Sequence, residues 1–139
     1  MHFNEKQLNF IYDTSKNIIL EQPQVLAERI VEIFTSTQSF QSRELVEYAC
    51  KYPIYKLTKS LKNKGFNENE IKCCSLFISL FTKEIINQST KYYQHRFNKS
   101  QVISGNIVPF LTVIINDISS YEVKHFETKF ESFLNIYKN

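Results

Sequence analysis

Apolar side chains recur at a helical period along almost the whole of this chain. In the clearest segment they follow one another at steps of three and four residues, at Ile71, Cys74, Ile78, Phe81 and Ile85. This spacing places them on one face of an α-helix. The 139 residues include only two Gly and three Pro, so repeated tight β-turns are hard to build. We therefore expect one all-α domain over residues 1–139, with six to eight helices.

Capping residues predict several helix ends. Asn4 with Gln7, Asn67 with Glu70, and Ser119 with Glu122 have the spacing of a capping box, in which each side chain bonds the other residue's backbone N–H. The last pair predicts that the final helix opens at Ser119. Gly65 predicts a left-handed C-terminal cap for the third helix.

Three features predict interruptions. Pro53 predicts a kink or a restart in the third helix, because a proline ring clashes with the preceding turn. A fourth helix that ran on to Asn98 would span about 45 Å, so we expect a break near residues 87–90. In the fifth apolar stripe, from Val102 to Ile118, Pro109 follows Gly105 by four residues and predicts a bend.

Charge and motifs exclude several classes of function. The net charge of +3 is far from that of a dedicated nucleic-acid binder. The lysine-rich segment 51–64 is interpreted as a solvated face, because Glu68 and Glu70 follow it at once. No phosphate-loop, zinc-protease or serine-hydrolase motif occurs, so an enzyme is not expected.

The N-terminus and the cysteines predict a cytoplasmic protein. The chain shows neither a secretory signal nor an 18-residue apolar run, so no membrane span is expected. The cysteines are Cys50 and the adjacent pair Cys73 and Cys74. An odd number without a signal peptide fits a reducing compartment, and we interpret them as buried thiols. No histidine has metal-ligand spacing to any of them, so no metal site is expected.

The twelve phenylalanines allow two interpretations. They form a tightly packed aromatic core, or bulky rings on bent helices leave a cavity for an apolar ligand. Residues predicted to face inward are Phe34, Phe77, Phe81, Phe110, Phe126, Phe130 and Phe133. Sequence alone does not separate the two.

The helix order resembles a known family. Two amphipathic helices, a kinked third and a buried fourth lead to a segment with the pattern Tyr-Tyr-x-His-Arg-Phe at 92–97, followed by two long closing helices. This order is similar to the globin-like sensor domains of bacterial signalling proteins. Among these it resembles the small sporulation-inhibitory proteins carried on Bacillus plasmids, which are free-standing homologues of a sporulation histidine-kinase sensor domain.

The resemblance implies a haem-free globin-like fold that binds a fatty acid in an apolar tunnel, with a chloride ion nearby. It implies a homodimer through the last two helices. It also implies that sporulation is inhibited through competition with the kinase, by mixed dimers or by titration of its signal. The expected tunnel lining is Phe34, Phe77, Ile78, Phe81, Tyr92, His95, Ile103, Ile107, Phe110, Leu111 and Ile114. Arg96 or Arg43 would meet the carboxylate.

Two other functions stay open. If His95 faces inward it could ligate haem iron, which would make the chain a haem-binding globin sensor. The length, the helical content and the richness in Asn, Ile and Lys also resemble viral Bcl-2-like interaction proteins, which bind an amphipathic peptide in a groove.

Overall fold

The computed structural model describes the backbone of residues 1–37, 43–96 and 107–137, and the side chains of residues 1–32, 47–92 and 107–137. This part of the chain is helical and contains no strand. Its elements are α1 (Glu5–Glu21), α2 (Pro23–Thr37), α3 (Arg43–Lys64), α4 (Glu68–Arg96), α5 (Val108–Glu122), a 3₁₀ turn (Val123–His125) and α6 (Phe126–Ile136). The expected all-α class is therefore confirmed.

Two capping boxes and the glycine cap form as predicted. The Asn4 side chain accepts from Gln7 N at 2.8 Å while the Gln7 side chain accepts from Asn4 N at 3.0 Å. Asn67 and Glu70 make the same pair of bonds at 2.8 and 2.9 Å. Gly65 has a φ of 95°, a left-handed conformation that side chains with a Cβ disfavour.

The glycine cap makes the tight turn between α3 and α4. Gly65 N donates to Lys62 O at 3.1 Å, and Phe66 N donates to Leu61 O at 3.0 Å. These two hydrogen bonds together form a Schellman motif, which satisfies carbonyls that the helix end leaves without partners. The chain reverses within three residues, so α3 and α4 lie side by side as an antiparallel pair.

The predicted break in α4 is wrong, and α3 does not restart at Pro53. α3 continues through Pro53 as one helix, because burial of this helix against α4 outweighs the cost of about 3 kcal/mol of an internal proline. α4 has no break near residues 87–90. There Ser89 Oγ donates to Ile85 O at 2.7 Å and Thr90 Oγ1 to Asn87 O at 3.1 Å. The polar side chains bond within the helix instead of ending it.

The predicted ends of the closing helices are also wrong. Pro109 lies in the first turn of α5, where its missing N–H costs no hydrogen bond, and not inside the helix. Ser119 and Glu122 do not open the last helix. They are buried within α5, which runs on to Glu122 before the 3₁₀ turn. Gly105, on which the predicted bend also depends, lies outside the described residues.

An aromatic cluster joins α4 to α6. The Phe77 ring lies 5.1 Å from Phe126, 5.1 Å from Phe130 and 5.2 Å from Phe133, measured between ring centroids. From α1, Tyr12 meets Phe126 and Phe130 edge-on. Edge-to-face pairs of this kind stabilise a core beyond their buried area. The other main contacts are those of α3 with α4, of α2 with α5 and α3, and of α4 with α5.

Candidate functional site

The antiparallel pair of α3 and α4 carries an open groove on its outer side. Hydrogen bonds hold the two helices together at two levels. The hydroxyls of Thr58 and Ser75 lie 3.0 Å apart, and Cys50 Sγ lies 3.6 Å from Ser79 O. Because the short turn at Gly65 keeps the helices adjacent, a shallow trough is left between their outward-facing side chains.

The groove consists of two adjoining depressions of about 560 and 690 Å³ that share Ile54, Thr58 and Lys62. Both depressions are open to solvent. The deeper depression lies towards the Gly65 turn, and the shallower one lies over α3. The described residues that line it are Lys51, Ile54, Tyr55, Thr58, Lys59, Lys62, Phe66, Glu68, Ile71, Lys72 and Ser75.

The groove has an apolar floor and a basic rim. Ile54, Ile71 and Phe66 supply aliphatic and aromatic surface, and the paired hydroxyls of Thr58 and Ser75 lie between them. Lys51, Lys59, Lys62 and Lys72 line its edge, whereas Glu68 is the one acidic residue among the lining residues that the structure describes. An apolar ligand that ends in an anion complements this arrangement, since the floor buries the chain and an ammonium group meets the charge.

None of the predicted site residues whose side chains are described lines this groove. Phe77, Ile78, Phe81, Ile107 and Leu111 are buried, and Ile114 is half-buried. Phe77 and Phe81 are 6.0 Å apart, and each also lies 5.1 Å from Phe126. The rings around these two residues therefore pack against one another, as the core interpretation of the phenylalanines expects.

Two further predicted residues are exposed. Phe110 and Tyr92 have 62% and 43% of their surface open to solvent in the chain, so the inward position expected for Phe110 is wrong. The side chains of Phe34, Arg43, His95, Arg96 and Ile103 lie outside the described residues. The tunnel lining that depends on them, and a haem ligand at His95, stay predictions.

The three thiols are buried, as expected. Burial raises the pKa of Cys73 to about 11 and raises the pKa of Cys50 and Cys74 as well. Buried thiols of raised pKa are poor nucleophiles at neutral pH. Among the side chains that the structure describes, in residues 1–32, 47–92 and 107–137, no group of His, Cys, Asp and Glu is placed to hold a metal ion.

Sequence reasoning missed the groove because it interpreted segment 51–64 as a solvated face. A usable signal is nevertheless present. Ile54, Thr58 and Lys62 follow one another at four-residue steps, and between Lys51 and Lys64 there are five lysines and no acidic residue. A solvated helix face commonly alternates charges of both signs. Apolar residues within a run of charged residues that are all positive would have indicated a surface for an anionic, partly apolar partner.

Within the described ranges, no helix is both long enough and apolar enough to cross a bilayer. Comparison with known proteins identifies no relative: no protein-family model, no curated protein and no solved structure matches this chain.

Proposed function

We propose that this protein binds a fatty acid non-covalently in the groove between α3 and α4 and acts as a ligand-binding protein without catalysing a reaction. The observation that carries the proposal is the combination of an apolar floor at Ile54, Phe66 and Ile71 with a lysine rim. An acyl chain fits the floor, and its carboxylate meets the lysines.

Simple energetics support an acyl chain over a small anion. Each methylene that leaves water contributes about 0.8 kcal/mol, which corresponds to about a fourfold gain in affinity when burial is complete. A single exposed ion pair contributes only about 0.2–1 kcal/mol. The chain therefore supplies most of the affinity, and the lysines orient the ligand. Affinity should rise with chain length until the groove is filled.

Calorimetric titration of delipidated protein with dodecanoate and hexadecanoate tests this proposal. We expect 1:1 binding that is tighter for the longer acid and weaker at high salt. The double variant Lys59→Glu/Lys62→Glu should lose about tenfold in affinity, since two attractive charges become repulsive. The matched control Lys124→Glu changes an exposed lysine of the 3₁₀ turn and should bind like the original protein. Absence of binding by both acids would refute the proposal.

The non-enzymatic part of the proposal has its own test. After prolonged incubation, extraction and mass spectrometry should recover the fatty acid chemically unchanged. Conversion of the acid to another product would overturn this part.

The wider role rests on the resemblance described above, supported by the order of the helices. We infer from it a globin-like arrangement of the helices, a cytoplasmic location and a chloride ion near the bound acid. In this role the protein inhibits a sporulation sensor kinase by competing for its signal or for its dimer surface. In a kinase assay, added protein should lower autophosphorylation, and excess fatty acid should restore it if the mechanism is titration. Inhibition that fatty acid does not relieve would instead favour mixed dimers.

The dimer of this proposal would use exposed apolar side chains of α5 and α6. Val113, Tyr121 and Ile136 have 59%, 61% and 78% of their surface exposed. Packing these side chains against a second copy of the chain removes apolar area from water, which favours the dimer. Light scattering should give a mass of about twice 16.5 kDa, and Tyr121→Glu should shift it towards the monomer. A monomer at all concentrations would refute this arrangement.

A further inference from the structure

The outer face of α3 and α4 carries exposed apolar side chains and lysines, both in the groove and beyond it. Tyr55 on α3 is 65% exposed, and Leu76 and Leu80 on α4 are 46% and 47% exposed. Leu76 and Leu80 continue, at four-residue steps, the row that starts at the groove residue Lys72. Tyr55 lines the groove, and Leu76 and Leu80 extend the exposed apolar surface along α4 beyond it.

The charges of this face have one predominant sign. Lys51, Lys59, Lys62 and Lys72 line the groove together with Glu68, and the exposed Lys83 and Glu84 follow Leu80 on α4. Among the described side chains of residues 1–32, 47–92 and 107–137, Lys16 pairs with Glu127 and Lys129 pairs with Glu122, both away from this face, and none of the five face lysines is in an ion pair. Their ammonium groups are available to an external anion.

We propose that this face docks on a membrane surface that contains anionic lipid, so that the groove opens towards the bilayer. The inference rests on the proposed function, because a fatty acid dissolved in the bilayer could then enter the groove without crossing bulk water. Tyr55, Leu76 and Leu80 would lie at the level of the headgroups, and the lysines would meet lipid phosphates.

Charge complementarity and the position of the groove favour a membrane over an acidic protein partner. Basic faces with aromatic and leucine side chains are typical of interfacial helices, whose affinity combines apolar burial with attraction to anionic lipids. Long lysine side chains keep their ammonium groups at the headgroups while their methylenes cover apolar surface. A lipid surface is also the place where the proposed ligand dissolves.

Co-sedimentation with vesicles tests the inference without added fatty acid. The protein should bind vesicles of phosphatidylglycerol and phosphatidylcholine in equal parts, and binding should fall as salt is raised. It should bind pure phosphatidylcholine vesicles at least about tenfold more weakly. Equal binding to both compositions, or binding to neither, would overturn the inference.

Two variants on this face, each compared with a matched substitution elsewhere on the surface, test whether this face makes the contact with the membrane. Lys83→Glu should weaken binding to the anionic vesicles by about fivefold or more, whereas Lys124→Glu should change it less than twofold. Leu76→Ser/Leu80→Ser should weaken binding by about tenfold. The matched control is Leu20→Ser on α1, where the leucine is 41% exposed. Loss of vesicle binding in the controls to the same extent would contradict the proposed face.

The same variants distinguish failure of this inference from failure of the proposed function. Leu76 and Leu80 do not line the groove, so the double variant should bind dodecanoate in vesicle-free solution like the original protein. Acid binding without vesicle binding overturns the membrane inference and leaves the proposed function standing. Vesicle binding without acid binding refutes the proposed function and the uptake route. Retention of an acidic amphipathic peptide without vesicle binding also overturns the inference, in favour of a protein partner.

Discussion

Nζ of Lys129, on α6, lies 2.7 Å from Oε2 of Glu122, the last residue of α5. The same carboxylate accepts from Gln88 Nε2 of α4 at 3.1 Å. Glu122 therefore ties three helices together at the turn that reverses the chain into α6. Its side chain is only 8% exposed, and a buried carboxylate needs such partners to remain charged.

Glu122→Gln should make the free energy of unfolding depend less on pH in the acidic range. Burial alone would raise the pKa of Glu122, but hydrogen bonds from Lys129 and Gln88 and nearby positive charge lower it below its ordinary value of 4.5. The charged form thus stabilises the fold above the unfolded-state pKa, and this contribution is lost as the pH falls through the lower folded-state value. We expect a loss of about 1–2 kcal/mol at pH 7 that shrinks below pH 4.5.

The control for this prediction is Glu127→Gln. Glu127 pairs with Lys16 at 2.7 Å, but its side chain is 54% exposed, so the loss should stay below about 0.5 kcal/mol. Urea unfolding of both variants between pH 3 and pH 7 provides the comparison. A pH-independent loss in Glu122→Gln would contradict the role given to its charge.

Phe77→Ala should be among the most destabilising substitutions in the chain. The ring contacts Phe126, Phe130 and Phe133, so its removal leaves a cavity that these rings cannot fill without moving. Large-to-small changes at such sites cost about 3–5 kcal/mol. Tyr55→Ala removes an aromatic ring that is 65% exposed and should cost less than about 1 kcal/mol in denaturant titrations. Similar costs at the two positions would show that the aromatic cluster is not packed.

Gly65→Ala should cost about 1 kcal/mol through backbone conformation alone. The φ of 95° is unfavourable for alanine, whereas a Cβ at this position would meet no described atom within 4 Å. Gly65→Asn should cost less, because asparagine tolerates the left-handed region better. In thermal unfolding, the melting temperature should be highest for the original protein, lower for Gly65→Asn and lowest for Gly65→Ala. If asparagine is no better than alanine, the left-handed cap does not explain the cost.

The thiols should resist modification while the protein is folded. A pKa of about 11 for Cys73 leaves only about one thiolate in a thousand at pH 8, and Cys73 and Cys74 are both buried. Iodoacetamide should therefore label them slowly at pH 8, and quickly after unfolding in urea. Rapid labelling of either cysteine in the folded protein would contradict its burial.

Sequence patterns predicted the local features that depend on neighbouring residues. Asn4, Asn67 and Gly65 act through hydrogen bonds or backbone angles within a few positions, so the sequence suffices to identify them. The ends that were predicted wrongly depend on tertiary contacts. Glu122 has the spacing of a cap residue relative to Ser119, but Lys129 and Gln88 bind its carboxylate instead, and no local pattern reveals those partners.

The candidate site was harder to predict than the fold class for a related reason. Its floor combines Ile54 from α3 with Ile71 from α4, and their proximity follows from the tight reversal at Gly65 and the uninterrupted α3. Because segment 51–64 was interpreted as a solvated face, its residues were not considered as part of a site shared with α4. Phe77 and Phe81 lie on the buried face of α4, as predicted. Their spacing in the sequence does not reveal that rings of α6 fill the space beside them.

The most direct test of the account is an amide chemical-shift titration of isotope-labelled, delipidated protein with dodecanoate. We predict saturable shifts centred on Ile54, Thr58, Ile71 and Ser75, and much smaller shifts at Phe77, Ile78 and Phe81. Shifts centred on the latter three would instead support a ligand within the aromatic core. That result, or no saturable shift at any residue, would contradict the assignment of the groove as the binding site.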